Sequence, residues 1–311
     1  MAPRIGYLLP TRESVMQGRP QTAPLLALAE KAEALGYASV WVGDSLMALP
    51  RHEPITLLAA VAARTSRVSL GTAVLLPGWR NPVVLAQQVA TLDQISEGRV
   101  ILGVGIASDV ATIRADFQAA GVPFEKRVGR LLEGLRLCRK LWTGKPVTWD
   151  GRWTVDNRTL GPEPYQPGGP PIWIGGSVPA TVERVGRHLD GWFPNEPTPD
   201  EYREIWTEMK SVARDAGRDP DKLTGAQYLT VAIDDNAARA DRRIDEFMET
   251  YYGKGSNLRE SQPCYAGSLA GAKELLAAYA SAGASHFVLR FAGEHEQQLE
   301  LFAGIEAELS G

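Results

Sequence analysis

The stretch that most restricts the fold is Leu70 to Gly105, LGTAVLLPGWRNPVVLAQQVATLDQISEGRVILGVG. Val68 to Leu76 is an almost unbroken run of apolar and small residues, the pattern of a strand covered on both faces in a parallel sheet. Asn81 is placed to cap a helix, and Pro82 to stand in its first turn, where a missing N–H costs nothing. Leu85, Gln88, Val89, Leu92 and Ile95 then share one helical face, and Gly98 supplies a stop. Val100 to Val104 is the next buried strand. Parallel strands need such a crossover between them, so this is a complete β-α-β unit.

The same grammar recurs along the chain. Strands are expected at Arg4–Leu9, Ser39–Val42, Pro171–Gly175, Gly191–Phe193, Gln227–Ile233 and Ser285–Phe291. Helices are expected from Thr22 and Pro24 to Gly36, from Pro54, over Asp109–Ala120, Glu125–Leu141, Pro179–Arg187, Glu201–Ala216, Ala237–Tyr251 and Gly271–Ala282, with Gln297–Leu309 closing the chain. Two turns echo each other, AEALGYASVWV near residue 37 and YASAGASHFVL near residue 284. Two excursions interrupt the rhythm. Residues 142–169 hold Trp142, Trp149 and Trp153 among Gly, Pro and Asp, reading as a small hairpin packed by its own aromatics, and a polar, glycine-rich segment lies near 252–265.

About eight strands alternating with helices over 311 residues fit a single α/β domain, residues 1–311. The expected architecture is a (β/α)8 TIM barrel with insertion segments at its C-terminal face. An open doubly wound sheet shares the alternation but accommodates eight units less well. In a barrel the strand C-termini carry the site, which directs attention to Pro10–Gly18, Gly43–Arg51, Ala73–Arg80, Gly105–Asp109, Gly175–Pro179 and Phe193–Pro197.

Composition excludes several classes. A net charge of −4 with 23% charged residues gives no reason to expect nucleic acid or a membrane surface as partner. No apolar run approaches 18 residues, and MAPRIGYLLP lacks signal-peptide architecture, so a cytoplasmic setting is expected. The two cysteines do not form a disulfide framework; Cys138 falls on the apolar stripe of Leu131, Leu135 and Trp142 and reads as core.

Several catalytic motifs fail. Gly103, Gly105 and Ser108 leave the dinucleotide fingerprint without its third glycine. Gly175-Gly176-Ser177-Val178-Pro179 departs from a nucleophile elbow at Pro179. His52-Glu53 has no second histidine in register, and His188, His286 and His295 are scattered, so no metal is expected; His286 reads as a structural, hydrogen-bonded histidine. The positive signal is IWIGGSVPAT, Ile172 to Thr181. There a buried strand runs into two glycines and a serine, and a helix follows at once. Backbone N–H groups and the helix dipole converge on such a turn, which suits a phosphate. The alternative is a plain βα turn with Ser177 as N-cap.

Taken together, ALGYASVWVGD (34–44), the 70–105 block, VPFEKRVGRLLEGLRLCRKLWTG (122–144), PPIWIGGSVPATVERVGRHLDGW (170–192) and AYASAGASHFVLR (278–290) resemble the luciferase-like monooxygenase superfamily, the flavin- and deazaflavin-dependent barrels. The resemblance implies coenzyme F420 or FMN at the strand C-termini. It places a non-prolyl cis peptide at Ala73-Val74 behind the cofactor ring, Gly105, Ile106 and Ala107 beside it, and a phosphate cradle at Gly175, Gly176 and Ser177. Many F420-dependent members carry an Asp-His pair where this chain has Asp44-Ser45, and a glutamate near Ser108 and Asp109. Without that histidine, Asp44 and Ser45 are the remaining catalytic candidates at that strand end. Trp79, Arg80, Trp192 and Phe193 are candidates for the substrate pocket; Arg80 has surface ion pairing, and Asp44 loop capping, as their alternatives.

The function expected from the resemblance is F420 hydride transfer to or from an unidentified small organic substrate. The alternatives are an FMN-dependent monooxygenase supplied by a separate reductase, and a barrel that binds flavin without turnover. A barrel hydrolase or aldolase is disfavoured, because no metal set, nucleophile elbow or strand-end lysine stands out. The resemblance also implies a homodimer, for which the alanine-rich face around Leu57 to Ala63 is one candidate surface.

Overall fold

A computed structural model describes residues 3–253, 259 and 262–309. The central strands are β1 (Arg4–Leu8), β2 (Ser39–Val42), β3 (Ser69–Thr72) and β4 (Val100–Val104), followed by the hairpin strands β5 (Val147–Asp150) and β6 (Thr154–Arg158). Then come β7 (Ile172–Ile174), β8 (Gly191–Trp192), β9 (Thr224–Ile233), β10 (Cys264–Gly267) and β11 (His286–Phe291). The helices are α1 (Thr11–Met16), α2 (Ala23–Ala34), α3 (Pro54–Arg64), α4 (Pro82–Ile95), α5 (Ala111–Ala119) and α6 (Arg127–Leu141). They continue with α7 (Pro179–His188), α8 (Pro199–Asp215), α9 (Ala237–Tyr252), α10 (Leu269–Ser281), α11 (His295–Leu301) and α12 (Ile305–Glu308).

The nine-stranded sheet runs β10-β9-β11-β1-β2-β3-β4-β7-β8, and β8 also pairs with β9, so eight strands make the (β/α)8 barrel and β10 is added alongside β9. Two compact units compose the chain: Met1–Leu9, Ala27–Trp41 and Trp173–Gly311 in one, Pro10–Leu26 and Val42–Ile172 in the other. In the first, β1 lies between β2 and β11 in parallel register, with Tyr7 opposite both Val40 and Leu289. One edge of β9 carries β11; its other edge carries β8 at the start and β10 at the end. The second unit holds the β3–β4 pair and the β5–β6 hairpin.

Local chemistry explains most boundaries. Asn81 accepts from the N–H groups of Val83 and Val84, capping α4 at the expected place. Thr198 and Glu201 form a reciprocal capping box on α8, which therefore begins at Pro199 and not at Glu201. Cys138 is fully buried and donates to the Pro82 carbonyl at 3.3 Å; burial pushes its thiol up to about 12, so it is an inert core residue.

Four expectations are corrected. The apolar run 68–76 is not one strand: β3 stops at Thr72, and the chain rejoins the ladder only through a single Leu75–Val104 bridge. Pro10–Gly18, for which no helix was expected, holds α1, a helix too short for apolar periodicity to reveal. The closing helix is broken at Gly304, whose φ of +75° is incompatible with continuing it. Finally, β10 was hidden because CYAG follows a polar stretch, of which residues 254–258 and 260–261 lie outside the described residues.

Candidate functional site

Asp44 follows β2, and its side chain is almost wholly buried. One oxygen accepts from the Leu76 N–H at 2.9 Å, and Arg80 grips both oxygens, with Nη2 to Oδ1 at 3.0 Å. Arg80 reaches Glu53 as well, at 3.4 Å. Asp44 therefore ties the loop after β2 to the loop after β3, with Arg80 as its partner. Ser45 Oγ accepts from the Leu49 N–H at 3.0 Å and holds a turn. From α5, the buried Asp116 accepts from the N–H groups of Met47 and Ala48, pinning the same loop. These polar groups form a scaffold that holds the loop after β2. Asp109, in place of the family's glutamate, is exposed and paired with Arg114.

Beside that scaffold lies the Ala73–Val74 peptide, which is cis. Gly105 comes so close that a Cβ there would stand 2.5 Å from Val74 Cγ2, which explains a glycine at the end of β4. The Gly105 N–H donates to Leu75 O, and the Ala107 carbonyl accepts from Arg127 Nε at 3.0 Å, so this segment is fixed from both sides. Ile106 stays partly accessible. Trp79 packs with Leu76, Ala107, Phe117 and Phe124, and its buried indole Nε1 has no hydrogen-bond partner.

The turn after β7 has the opposite character. Gly176 takes φ +92°, a conformation that any side chain would strain. Helix α7 starts at Pro179 with Val178 as N-cap and no side-chain cap. Ser177 Oγ is buried and makes no hydrogen bond. The plain-turn alternative, with Ser177 as the cap, is therefore not what the chain adopts. An uncapped ten-residue helix meets an unpartnered hydroxyl at a glycine with left-handed backbone, which is an arrangement receptive to an oxyanion.

Two aromatic expectations diverge. Trp192 is fully buried, stacked on Trp206 and packed on Tyr202 of α8, and its indole N–H donates to Gly176 O at 2.8 Å. It braces the glycine turn from the side of β8 that faces α8. Phe193 turns the other way and joins Trp41, Trp173 and Tyr228. His286 sits with Trp41 and Trp173 and shares a 2.7 Å hydrogen bond with Ser39 Oγ, a structural role. Among the described residues, no group of three metal-ligating side chains exists and no helix is long and apolar enough to cross a membrane.

Fold and turn together define a (β/α)8 barrel with an anion-receptive turn at the C-terminal end of its fifth barrel strand. The chain belongs to the luciferase-like monooxygenase family, which matches residues 3–304. An F420-dependent glucose-6-phosphate dehydrogenase of Nakamurella multipartita is 35% identical over 246 residues, 76% of this chain and 70% of that protein. For the next relatives the matched region spans 65% and 60% of their length. An F420-dependent secondary alcohol dehydrogenase, solved with an F420-acetone adduct, superposes with TM-score 0.82 at 22% identity, over 100% of both chains. The oxygenating constituent of 3,6-diketocamphane monooxygenase from Pseudomonas putida, solved with FMN, gives 0.77 at 20% identity, over 99% of this chain and 98% of the other.

Proposed function

We propose that this protein is an F420-dependent oxidoreductase acting on a small organic substrate. The observation that carries the reading is the Ser177 turn: a buried hydroxyl without a partner beside an uncapped helix N-terminus. Gly175, Gly176 and Ser177 hold a cofactor phosphate, with backbone N–H groups and the helix dipole supplying the attraction. Within the other unit, Ala73, Val74, Gly105, Ile106 and Ala107 form a surface of backbone and apolar side chains that suits a flat ring. The cofactor, when bound, supplies two-electron hydride chemistry, and the protein's share is binding, orientation and exclusion of water. The Asp44–Arg80 pair and Asp116 keep the loop after β2 in one shape. F420 is favoured over FMN by the sequence relatives, the FMN-dependent monooxygenase being the second reading, favoured by the diketocamphane monooxygenase likeness. The reading includes a homodimer, with a separate reductase as partner in the FMN case.

Fluorescence titration of the intact protein with F420 and with FMN tests this. F420 is expected to bind with a Kd below about 100 μM, equivalent to about −5.5 kcal/mol. Tight binding of FMN alone transfers the assignment to the second reading, and binding of neither removes both.

A further inference from the structure

Arg290 stands near the C-terminal end of β11, on the same strand face as His286, and is only 2% exposed. Its guanidinium carbon lies 5.1 Å from the ring centroids of Phe247 and Tyr251, 5.3 Å from that of Tyr228 and 5.4 Å from that of Tyr252. Nε and Nη2 donate to Thr230 Oγ1 at 2.9 and 2.6 Å, Nη1 to the Tyr252 hydroxyl at 2.6 Å, and Nη2 to Met248 Sδ at 3.6 Å. Every one of these acceptors is neutral. Among the described residues no carboxylate pairs with this buried cation. Four of its five N–H donors are used, leaving one N–H on Nη1.

A guanidinium in a dry aromatic box gains cation–π attraction but keeps its full charge. Packing alone does not require it, since an apolar side chain of similar volume fills such a place at no loss. We infer that Arg290 is the receptor for an anionic group, a carboxylate or a phosphate, carried by this protein's substrate. The Tyr252 hydroxyl on Nη1 occupies the place of the ligand oxygen. Tyr252 is the last residue of α9, followed by Gly253 at φ +94°, so the hydroxyl that fills this place stands on the helix terminus. Strand C-termini are the end at which barrels bind substrate, and the aromatic walls suit an apolar body behind the anionic head. Calling the ligand the substrate rests on the oxidoreductase reading; the anion site itself does not.

The experiment is thermal-shift titration of the full chain, without cofactor, using benzoate and inorganic phosphate as probes and benzyl alcohol as the neutral control. A saturable rise in Tm with benzoate or phosphate, absent with benzyl alcohol, is expected. Arg290→Met should keep the wild-type Tm or exceed it, yet lose about tenfold or more in anion affinity. Arg290→Lys keeps the charge and should retain part of the affinity, which guards against a misfolded variant. Glu260 lies outside the described residues, so Glu260→Gln is included and should bind benzoate as the wild type does. No saturable response in the wild type, unchanged affinity in Arg290→Met, or tighter binding in Glu260→Gln each overturns the proposal. An anion response without F420 or FMN binding leaves the Arg290 site standing and removes only the cofactor reading.

Discussion

The loop after β2 and the turn after β7 both bring polar side chains to a strand C-terminus, yet they treat them oppositely. At Asp44 both carboxylate oxygens are occupied by Leu76 N–H and Arg80, and neighbouring Ser45 and Asp116 are likewise committed to backbone N–H groups. At Ser177 the hydroxyl is buried with no partner and α7 begins without a cap. Buried polar groups are nearly always hydrogen-bonded, because leaving one bare costs about 1–3 kcal/mol. A satisfied cluster is finished structure. An unsatisfied one that persists is where a ligand's polar atoms fit.

The comparison is most exposed to failure at Asp44. Replacing it with Ala takes from the Arg80 guanidinium, whose side chain is 15% exposed, its main partner, leaving Glu53 at 3.4 Å and the Leu76 carbonyl, and orphans the Leu76 N–H. Breaking one partner of a buried ion pair is expected to lower unfolding free energy by about 3 kcal/mol. Urea melts of Asp44→Ala, Arg80→Ala and the double variant measure this. A loss below about 1 kcal/mol makes the cluster ornamental and undoes the contrast.

How far these roles were readable in the sequence depends on the reach of each interaction. The helix of residues 82–95 was legible because Asn81 and Pro82 act on backbone atoms two or three residues away. The Gly175–Ser177 turn was legible for the same reason, although its two readings separate only once Val178 is seen to be the cap. The packing of Trp192 was not legible, because a two-residue strand fixes no face, so alternation cannot say that its ring meets Trp206 rather than Phe193's neighbours. Arg80 was underdetermined because its partner lies 36 residues away. The cis Ala73–Val74 peptide followed from family resemblance alone; no local propensity asks for it. Arg290 escaped notice although its signal was present: a lone charge within HFVLRF cannot face a purely apolar core without a reason.

A second buried group sharpens the rule for partnered polarity. Trp41 Nε1 donates to Ser39 Oγ at 2.6 Å, so the serine's own proton is directed to His286 Nε2, which accepts it only as neutral imidazole. Burial accordingly drives His286 down to about 3 and His295 down to about 4. Both folded-state values lie below the ordinary histidine value near 6.5, so the stabilisation is present above that pH and lost on acidification. Each histidine should erode stability by up to about 1.4 kcal/mol per pH unit as pH falls below about 6.5. Denaturant melts between pH 7 and pH 5 are expected to show this slope, and His286→Gln should remove one histidine's share. A flat profile would mean that the imidazole is protonated in the fold and that the Trp41–Ser39 relay runs in the reverse sense.

The smallest effect on stability is expected where the contrast predicts none. Ser177→Ala deletes a hydroxyl that bonds to nothing, so unfolding free energy should change by no more than about 0.5 kcal/mol. The same variant should weaken F420 binding about tenfold, because a hydrogen bond to a charged oxygen contributes about 1.5–3 kcal/mol. The two measurements separate the possibilities. A stability loss comparable to that of Asp44→Ala would make Ser177 part of the scaffold, and the difference between the two loops would vanish. Unchanged stability with unchanged affinity would leave the bare hydroxyl without a ligand and take the phosphate from this turn. Only the combination of a neutral melt and a weakened titration matches a group held unsatisfied in the folded chain for a partner that arrives later.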